Sequence, residues 1–272
     1  MSTAAAEQAR PASSAGAAIS IANVDVTYGV GGAEPVTALS GITLEIADGA
    51  FVSLVGPSGC GKSTLLKVVA DLMAPTRGSV SIGGSPPRDL RRAGRIGLVF
   101  QQANLMPWLK VSDNARLLQD LVGSRGGARR GASIDELIRV VGLGGFDAKY
   151  PHQLSGGMQQ RVALARALAL DPAVLLMDEP FAALDEITRD RMAFELMRIW
   201  HHYRKTVLFV THSLSEAVFL SDKVVLMSAR PGRIHRTFDI DLPRPRDRET
   251  RLSDRFHEIV SAVNRELYRV MS

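Results

Sequence analysis

The sequence predicts an α/β domain built on a mainly parallel sheet, with an N-terminal antiparallel β region and a helical insert. Short apolar runs that fit buried strands recur along the chain, and helix-like stretches separate them. The strand candidates are Phe51–Val55, Ile96–Phe100, Val174–Met177, Val207–Val210 and Val224–Met227. With 46% hydrophobic and 22% charged residues, the composition is that of an ordinary globular protein.

Composition excludes several classes of protein. The single cysteine, Cys60, excludes a disulfide framework and a zinc site built from cysteines. No uninterrupted apolar run approaches the roughly eighteen residues of a membrane-spanning helix. The 272 residues carry a formal net charge of +5 at pH 7, which suits phosphate-bearing ligands, anionic lipid headgroups or nucleic acid alike. The favoured explanation of this positive charge is a mixed solvated surface with an arginine bias. We expect no nucleic-acid partner.

The N-terminal part divides into a leader and a β region. Residues 1–18 are mostly Ala, Ser and Gly without an apolar core, so we expect a disordered leader and not a secretory signal. Ile19–Tyr28 and Thr43–Ile46 tend to alternate apolar and polar residues, as strands with one solvated face do. A helix is predicted from Ser63 to about Leu72.

The stretch of about 102–160 is predicted to be a helical insert within a domain of residues 19–235. Helix-like patterns cover Asp113–Leu121 and Ile134–Val141. Between them, Gly123–Gly131 is polar and holds three arginines. A solvated linker is favoured there over a loop that contacts phosphate.

Residues 236–272 are predicted to form a linker and one amphipathic helix. The segment Leu242-Pro243-Arg244-Pro245 marks the linker. Apolar residues then recur at helical spacing, at Leu252, Phe256, Ile259, Val260, Val263, Leu267 and Val270. The favoured interpretation is a helix packed on the core, and docking on a partner or a membrane surface is the alternative.

The strongest local signal is a phosphate-binding loop between a predicted strand and a predicted helix. It reads Gly56-Pro57-Ser58-Gly59-Cys60-Gly61-Lys62-Ser63. The glycines let backbone N–H groups point at phosphate oxygens, and the helix N-terminus adds partial positive charge. Lys62 is predicted to reach the β- and γ-phosphates, and the Ser63 hydroxyl to bind Mg²⁺. Alkylation of Cys60, inside the loop, is expected to block nucleotide binding.

A second signal is the apolar run that ends in Asp178 and Glu179. It predicts two carboxylates at the carboxyl end of a buried strand, where open α/β sheets bind ligands. Asp178 suits a magnesium shell, because Mg²⁺ takes a few protein oxygens and water. Glu179 is predicted to polarise the attacking water. Together with the phosphate loop, these residues predict a P-loop nucleotide hydrolase.

The third signal is Leu154-Ser155-Gly156-Gly157-Met158-Gln159-Gln160-Arg161, followed by a helix-like run. Ser155 and the two glycines begin a helix and so form a second anion-binding helix N-terminus. A single nucleotide is not expected to use both of these helix N-termini from the same molecule. A head-to-tail dimer would use them in trans.

With these motifs in order, the chain resembles the ATP-binding cassette (ABC) subunits of membrane transporters. The resemblance covers about Ile19 to Ile234 and implies a P-loop NTPase fold of the ABC ATPase type. It also implies two copies that sandwich two ATP molecules with Mg²⁺, each between one phosphate loop and the opposite Ser155-Gly156-Gly157. The resemblance implies that the residues from Gly56 to Thr64 bind ATP, together with Ser155, Gly156 and Gly157 of the second copy.

The resemblance assigns four further residues. Tyr28 matches the aromatic that stacks on adenine, and Gln101 the glutamine that senses magnesium and the attacking water. Asp185 matches the residue that crosses the dimer interface, and His212 the histidine that contacts the γ-phosphate. Glu179, His212, Gln101 and Lys62 are thus the predicted catalytic residues, and Ser63, Gln101 and Asp178 the predicted metal ligands.

The resemblance is strongest to nitrate, sulfonate and taurine importers. It rests on Leu105–Leu109, Phe181–Arg189 and Ser228–Ile234. It implies a peripheral subunit on the cytoplasmic side of the bacterial inner membrane, which drives a separate permease supplied by an extracytoplasmic solute-binding protein. The permease is expected to dock near Gln101 and Leu105–Trp108, for which a core patch is an equal alternative. A non-transport ABC ATPase and a soluble nucleotide-dependent regulator remain alternative functions.

Overall fold

The computed structural model describes residues 17–29, 34–123 and 133–271. The predicted leader up to residue 16 and the predicted polar loop from residue 124 to Gly131 lie outside them. In the described part the strands are β1 Ile19–Tyr28, β2 Val36–Ile46, β3 Phe51–Val55, β4 Arg77–Ile82, β5 Ile96–Val99, β6 Val174–Asp178, β7 Thr206–Val210, β8 Lys223–Ser228 and β9 Arg233–Asp239.

These strands form two sheets. The first is antiparallel with the order β2-β1-β4, and the second has the order β5-β6-β7-β3-β8-β9. Neighbouring strands of the second sheet are parallel from β5 to β8, and β9 pairs antiparallel with β8. All five residues of β3 are buried, since this strand has a neighbour on each side and layers on both faces. The predicted class, a mainly parallel α/β core with an antiparallel β region, is confirmed.

Helices cover the parallel sheet and form the insert. In the described part they are α1 Lys62–Val69, α2 Pro87–Arg92, α3 Val111–Gly123, α4 Ile134–Val140, α5 Gly156–Leu168, α6 Glu186–Tyr203, α7 Leu214–Leu220, α8 Arg248–Leu252 and α9 Asp254–Met271. The insert helices α3, α4 and α5 share one apolar core with the sheet, through buried side chains such as Leu137, Ile138 and Val162. The buried Asn114 amide fixes the preceding loop, because its Oδ1 accepts from Met106 N at 2.8 Å and its Nδ2 donates to Leu109 O at 2.9 Å.

Strand β2 begins earlier than the predicted Thr43. The alternation of apolar residues is broken at Gly41, which has a φ of +63°. The pairing of β1 with β2 shifts register in this region, and Asp25 Oδ1 accepts from Gly41 N at 2.6 Å. A bulge of this kind lets one strand continue through a break in its side-chain pattern.

Five elements of the described part were not predicted with bounds, namely β4, α2, α6, α7 and β9. The side chains of β9 are mostly exposed, as its sequence Arg-Ile-His-Arg-Thr-Phe-Asp indicates, so the apolar pattern of a buried strand is missing. The strand exists because its backbone pairs with β8 at the edge of the sheet. The sheet therefore continues to Asp239, beyond the predicted domain boundary at residue 235.

The predicted single helix at the C-terminus is wrong, because two helices form. Ser253 has extended backbone angles between α8 and α9, and its hydroxyl accepts from Phe256 N at 3.3 Å. Leu252 belongs to α8 and is 77% exposed, so it lies outside the apolar stripe. Phe256, Ile259 and Val263 of α9 are buried in the main core, which confirms that this helix packs on the domain.

The predicted linker is anchored to the domain by two arginines. Arg244 stacks on Trp200 with its guanidinium carbon 4.1 Å from the ring centroid, and it forms an ion pair with Asp222. Arg246 is buried and donates to backbone carbonyls at the end of α7 and in the segment Ile240–Leu242. Burial lowers the pKa of Arg246 to about 10. Among the described helices, none is both long and apolar enough to cross a membrane.

Candidate nucleotide site

Three loops meet at the carboxyl edge of the parallel sheet. The strand register pairs Leu54 of β3 with Val210 of β7, and Val210 with Asp178 of β6. The segments that follow these strands therefore begin side by side. This is the edge at which open α/β sheets bind ligands.

The phosphate loop is held by a close approach to the end of β8 and the turn that follows it. A Cβ added to Gly56, whose φ is +152°, would lie 2.5 Å from Met227 O. In the opposite direction, a Cβ on Gly232 would lie 2.1 Å from Cys60 O. Both contacts are shorter than any side chain permits, so glycine is required on both sides. Cys60 itself is fully buried.

Lys62 is folded into the phosphate loop. Its side chain is only 5% exposed, and its Nζ donates to Gly56 O at 2.9 Å and Pro57 O at 3.0 Å. Lys62 is also the first residue of α1, so its ammonium group and the helix N-terminus lie in one loop. Two independent sources of positive potential are combined here, which suits a polyphosphate.

Ser63 and Asp178 are brought together as the sequence predicted. The Ser63 hydroxyl donates to Asp178 Oδ1 at 2.8 Å. A hydroxyl and a carboxylate side by side are hard oxygen donors, and Mg²⁺ binds a few such donors together with water. The donor set therefore fits magnesium.

Glu179 and His212 form a pair across two strand ends. His212 Nε2 lies 2.6 Å from Glu179 Oε1, and Glu179 N donates to Val210 O at 3.0 Å. Glu179 has a φ of +48°, a conformation that a residue with a side chain seldom adopts. This conformation is held next to a cavity, which is where such strain is commonly found.

Lys62, Ser63, Glu179 and His212 line a cavity of about 850 Å³, whereas Asp178 does not. The site residues predicted from the sequence that line this cavity are Tyr28, Ser58, Gly59, Gly61, Lys62, Ser63, Thr64, Glu179 and His212. Tyr28 is 42% exposed, and its hydroxyl lies 3.1 Å from Thr64 Oγ1. Six further lining residues were missed, namely Pro35, Val36, Thr37, Ala38, Arg230 and Pro231. Their loops lie close to the phosphate loop only through pairing between distant segments, such as Gly232 N donating to Ala38 O at 2.9 Å.

The predicted signature residues lie elsewhere. Ser155 caps α5, and its hydroxyl accepts from Met158 N at 3.3 Å. A Cβ on Gly156 would lie 3.5 Å from Leu184 Cδ2, and one on Gly157 would lie 2.9 Å from Thr188 Cγ2. The N-termini of α5 and α6 are therefore neighbours. None of these residues lines the cavity at the phosphate loop of the same chain.

Asp185 begins α6 beside that surface. Its Oδ1 accepts from Thr188 N at 2.9 Å, and this hydrogen bond is the main reason why the pKa of Asp185 is lowered. The carboxylate thus stays ionised while it caps the helix. Gln101 is exposed, two residues after the end of β5, and does not line the cavity, so its predicted contact with metal and water stays a prediction.

The predicted docking surface near Gln101 is largely exposed. Trp108 is 69% exposed, whereas Leu105 is half-buried against the core. The loop between them is held by the Asn114 amide described above. The apolar indole is therefore presented to solvent from a fixed loop, and a core patch does not account for it.

Sequence reasoning also missed a buried carboxylate next to this site. Glu216 lies on α7, and its carboxylate accepts a hydrogen bond from the Thr211 hydroxyl at 2.6 Å. Burial raises the pKa of Glu216 against the opposing effects of Thr211 and Arg189. A glutamate within an apolar helix was the only sequence signal.

Comparisons with known proteins agree with this geometry. The family profile described as ABC transporter matches residues 39–182. An uncharacterized ABC transporter ATP-binding protein of Methanocaldococcus jannaschii is 51% identical over 214 residues, or 78% of this chain and 79% of that protein. The taurine import ATP-binding protein of Ruegeria pomeroyi is 42% identical over 220 residues, or 81% of each chain.

A solved structure is similar over most of its length. It is the dimeric structure of a post-hydrolysis state of an ATP-binding cassette bound to ADP and Pi. The TM-score is 0.68 at 34% identity, and the match covers 82% of this chain and 98% of that one.

Proposed function

Since this chain belongs to the ABC transporter family and is thereby an ATPase coupled to transport, we propose that it is the ATP-hydrolysing subunit of an importer. The observation that carries the proposal is the Glu179–His212 pair, 2.6 Å apart, on the cavity that the phosphate loop lines. A carboxylate in this position polarises a water molecule for attack on the terminal phosphate. His212 holds that carboxylate in place.

Binding of the nucleotide falls to the phosphate loop and Tyr28. Lys62 and the N-terminus of α1 offset the charge of the phosphates, which is the main work in phosphoryl transfer. Tyr28, exposed beside the cavity, offers its ring to the adenine base. Gln101 would approach the water and the metal through movement of the insert.

Ser63 and Asp178 would hold Mg²⁺ through the oxygens that now share a hydrogen bond. The bound ion would neutralise negative charge on the phosphate oxygens. In the chain itself, Ser63 belongs to the first turn of α1 and Asp178 to the end of β6, so both donors stand on fixed elements.

A second copy of the chain would complete the site. The Ser155–Gly157 turn and Asp185 lie on a surface apart from the chain's own cavity, which supports their use in trans. The similar cassette was solved as a dimer. Two copies arranged head to tail would each bring the N-terminus of α5 to the partner's nucleotide.

The partner in the membrane would be a separate permease that docks beside Trp108. The solute would be a small anion such as nitrate, a sulfonate or taurine, and relatives named as taurine and aliphatic sulfonate import proteins support the sulfonate class. An extracytoplasmic solute-binding protein would deliver it, and the chain would lie at the cytoplasmic face of the membrane.

The first test is Glu179→Gln in the full chain. The change keeps the shape but removes the carboxylate, so we expect ATP hydrolysis to fall at least about a hundredfold while ATP binding is unchanged. Glu195→Gln is the control, because Glu195 is a carboxylate on α6 that pairs only with Arg198 among its described ion pairs. Hydrolysis by Glu179→Gln at the rate of the control would overturn the assignment.

The second test isolates the Glu179→Gln variant with Mg-ATP from detergent-solubilised membranes of its own host. A stoichiometric multi-span protein identified by mass spectrometry would support the transport proposal. Uptake of radiolabelled taurine, alkanesulfonate and nitrate by the same complex assembled with the wild-type chain would then separate the solute classes. Ribosomal or nucleic-acid partners without a membrane protein would refute transport and leave the ATPase site intact.

A further inference from the structure

A buried carboxylate contacts the strand end that carries His212. Glu216 is 4% exposed, and its Oε2 accepts from Thr211 Oγ1 at 2.6 Å. The same Thr211 oxygen accepts from Ser213 N at 3.0 Å, and Ser213 Oγ accepts from Glu216 N at 3.3 Å. His212 is the residue between Thr211 and Ser213. Its backbone is therefore fixed on both sides by a closed set of hydrogen bonds that Glu216 begins and ends.

Glu216 also faces Arg189, which reaches a second functional segment. Glu216 Oε1 lies 3.5 Å from Arg189 Nε, and Arg189 Nη2 donates to Leu184 O at 3.0 Å. Leu184 directly precedes Asp185, the residue that caps α6. One buried carboxylate is thus connected to the turn of His212 and to the turn of Asp185.

The surroundings of Glu216 make its contacts specific. Asp190 and Arg251 lie nearby and form an ion pair with each other, and Arg251 stacks on Phe219. The Glu216 carboxylate lies among buried apolar side chains of α7 and is held between Thr211 Oγ1 and Arg189 Nε. It shares a cavity of about 250 Å³ with Glu179 and His212, and it does not line the cavity of the phosphate loop.

We propose that Glu216 is a positioning residue for ATP hydrolysis, which holds His212 on Glu179 through Thr211 and couples this contact to the Leu184–Asp185 turn through Arg189. The inference rests on the proposed ATPase function. It goes beyond it because Glu216, Thr211 and Arg189 touch neither the phosphate loop nor the proposed magnesium donors.

The test compares Thr211→Val, Thr211→Ser and Glu216→Gln in the full chain with Mg-ATP. Thr211→Val keeps the volume and removes the hydroxyl, and Glu216→Gln turns an amide toward Arg189. We expect Thr211→Val and Glu216→Gln each to lower kcat about tenfold, because displacement of a catalytic group by a fraction of an ångström has effects of this order. The KM for ATP should stay within about twofold, since neither residue lines the nucleotide cavity. Thr211→Ser should restore kcat.

Two further measurements separate positioning from a loss of stability. The kcat of the double variant Thr211→Val/Glu216→Gln should be no lower than that of either single variant, as expected for residues that act as a unit. The matched control for stability is Asp171→Asn. Asp171 pairs with the buried Lys205 at 2.6 Å, next to the amino ends of β6 and β7 and so at the edge of the sheet opposite the nucleotide site. Asp171→Asn should lower stability and leave kcat unchanged.

The outcomes are distinguishable. Wild-type kcat in Thr211→Val and Glu216→Gln, with an active wild-type enzyme, would overturn the inference and leave the proposed function standing. An equal loss of kcat in Asp171→Asn would also overturn it, by showing that any buried ion pair has this effect. Absence of hydrolysis in the wild type would refute the proposed function itself.

Discussion

Replacement of Arg246 by methionine tests how the C-terminal segment is held on the domain. The Arg246 guanidinium donates through Nη1 to Val218 O at 3.0 Å, Phe219 O at 2.9 Å and Ser221 O at 2.7 Å. Val218 and Phe219 lie in the last turn of α7, where no further helical N–H groups reach their carbonyls. Arg246 therefore supplies donors that the helix end lacks.

The magnitude follows from these three contacts. Methionine retains the apolar stem but removes the donor from these three carbonyls and from two more that Nη2 reaches at 3.2 and 3.5 Å. Counting only the three shorter Nη1 contacts at about 1 kcal/mol each, the free energy of unfolding should fall by about 3 kcal/mol. The value is smaller than a sum over charged hydrogen bonds, because the cost of burying the guanidinium is removed as well. That cost is visible in the pKa of Arg246, which burial lowers to about 10.

Urea unfolding followed by circular dichroism measures the effect, with Arg255→Met as the matched control. Arg255 is an exposed arginine that pairs with Asp241 and Glu258, and its replacement should change little. The free energy of unfolding of Arg246→Lys should lie between those of Arg246→Met and Arg255→Met, because one ammonium group replaces only part of the hydrogen-bond donors of the guanidinium. Equal midpoints for Arg246→Met and Arg255→Met would refute the reasoning.

Three further predictions concern the site. Gly232→Ala should weaken binding of a fluorescent ATP analogue at least about tenfold, because the new methyl group would clash with Cys60 O. Gly144→Ala is the control, since its methyl group would lie 3.9 Å from the nearest atom. Equal affinity of the two variants for the analogue would contradict the prediction. The buried Cys60 thiol should react with a maleimide slowly in the native protein and rapidly in urea, whereas equal rates would show that the loop is open. Because burial raises the pKa of Glu216 above its unfolded value, the folded state binds more protons between the two values, and the free energy of unfolding should fall as pH rises through that interval. Glu216→Gln should flatten the profile of unfolding free energy against pH, and an unchanged slope would argue against it.

The phosphate loop and the strands of the core were predictable because their signals are local. Gly56 to Ser63 is one contiguous stretch, and Phe51–Val55 is apolar at nearly every position because layers cover both faces of β3. The edge strand β9 was not predictable, since backbone pairing with β8 holds it and its exposed side chains carry no apolar pattern.

The division between α8 and α9 shows the limit of periodicity. Leu252 continues the spacing of the apolar stripe, yet Ser253 turns the chain and leaves Leu252 exposed. Spacing alone cannot detect a residue that ends one helix and caps the next, because the cap depends on where the backbone lies. The buried position of Arg246 was hidden for the same reason, as its acceptors belong to α7.

By itself, the sequence determined which chemical groups are present and in which order: a phosphate loop, a strand that ends in two carboxylates, a second helix N-terminus and a histidine after a strand. Only the tertiary structure decided which of them meet. The strand register joins Glu179 to His212 and Ser63 to Asp178, while the packing of α5 against α6 keeps Ser155–Gly157 apart from the chain's own cavity. Contacts such as these depend on the distance between segments remote in the chain, which no local pattern of residues encodes.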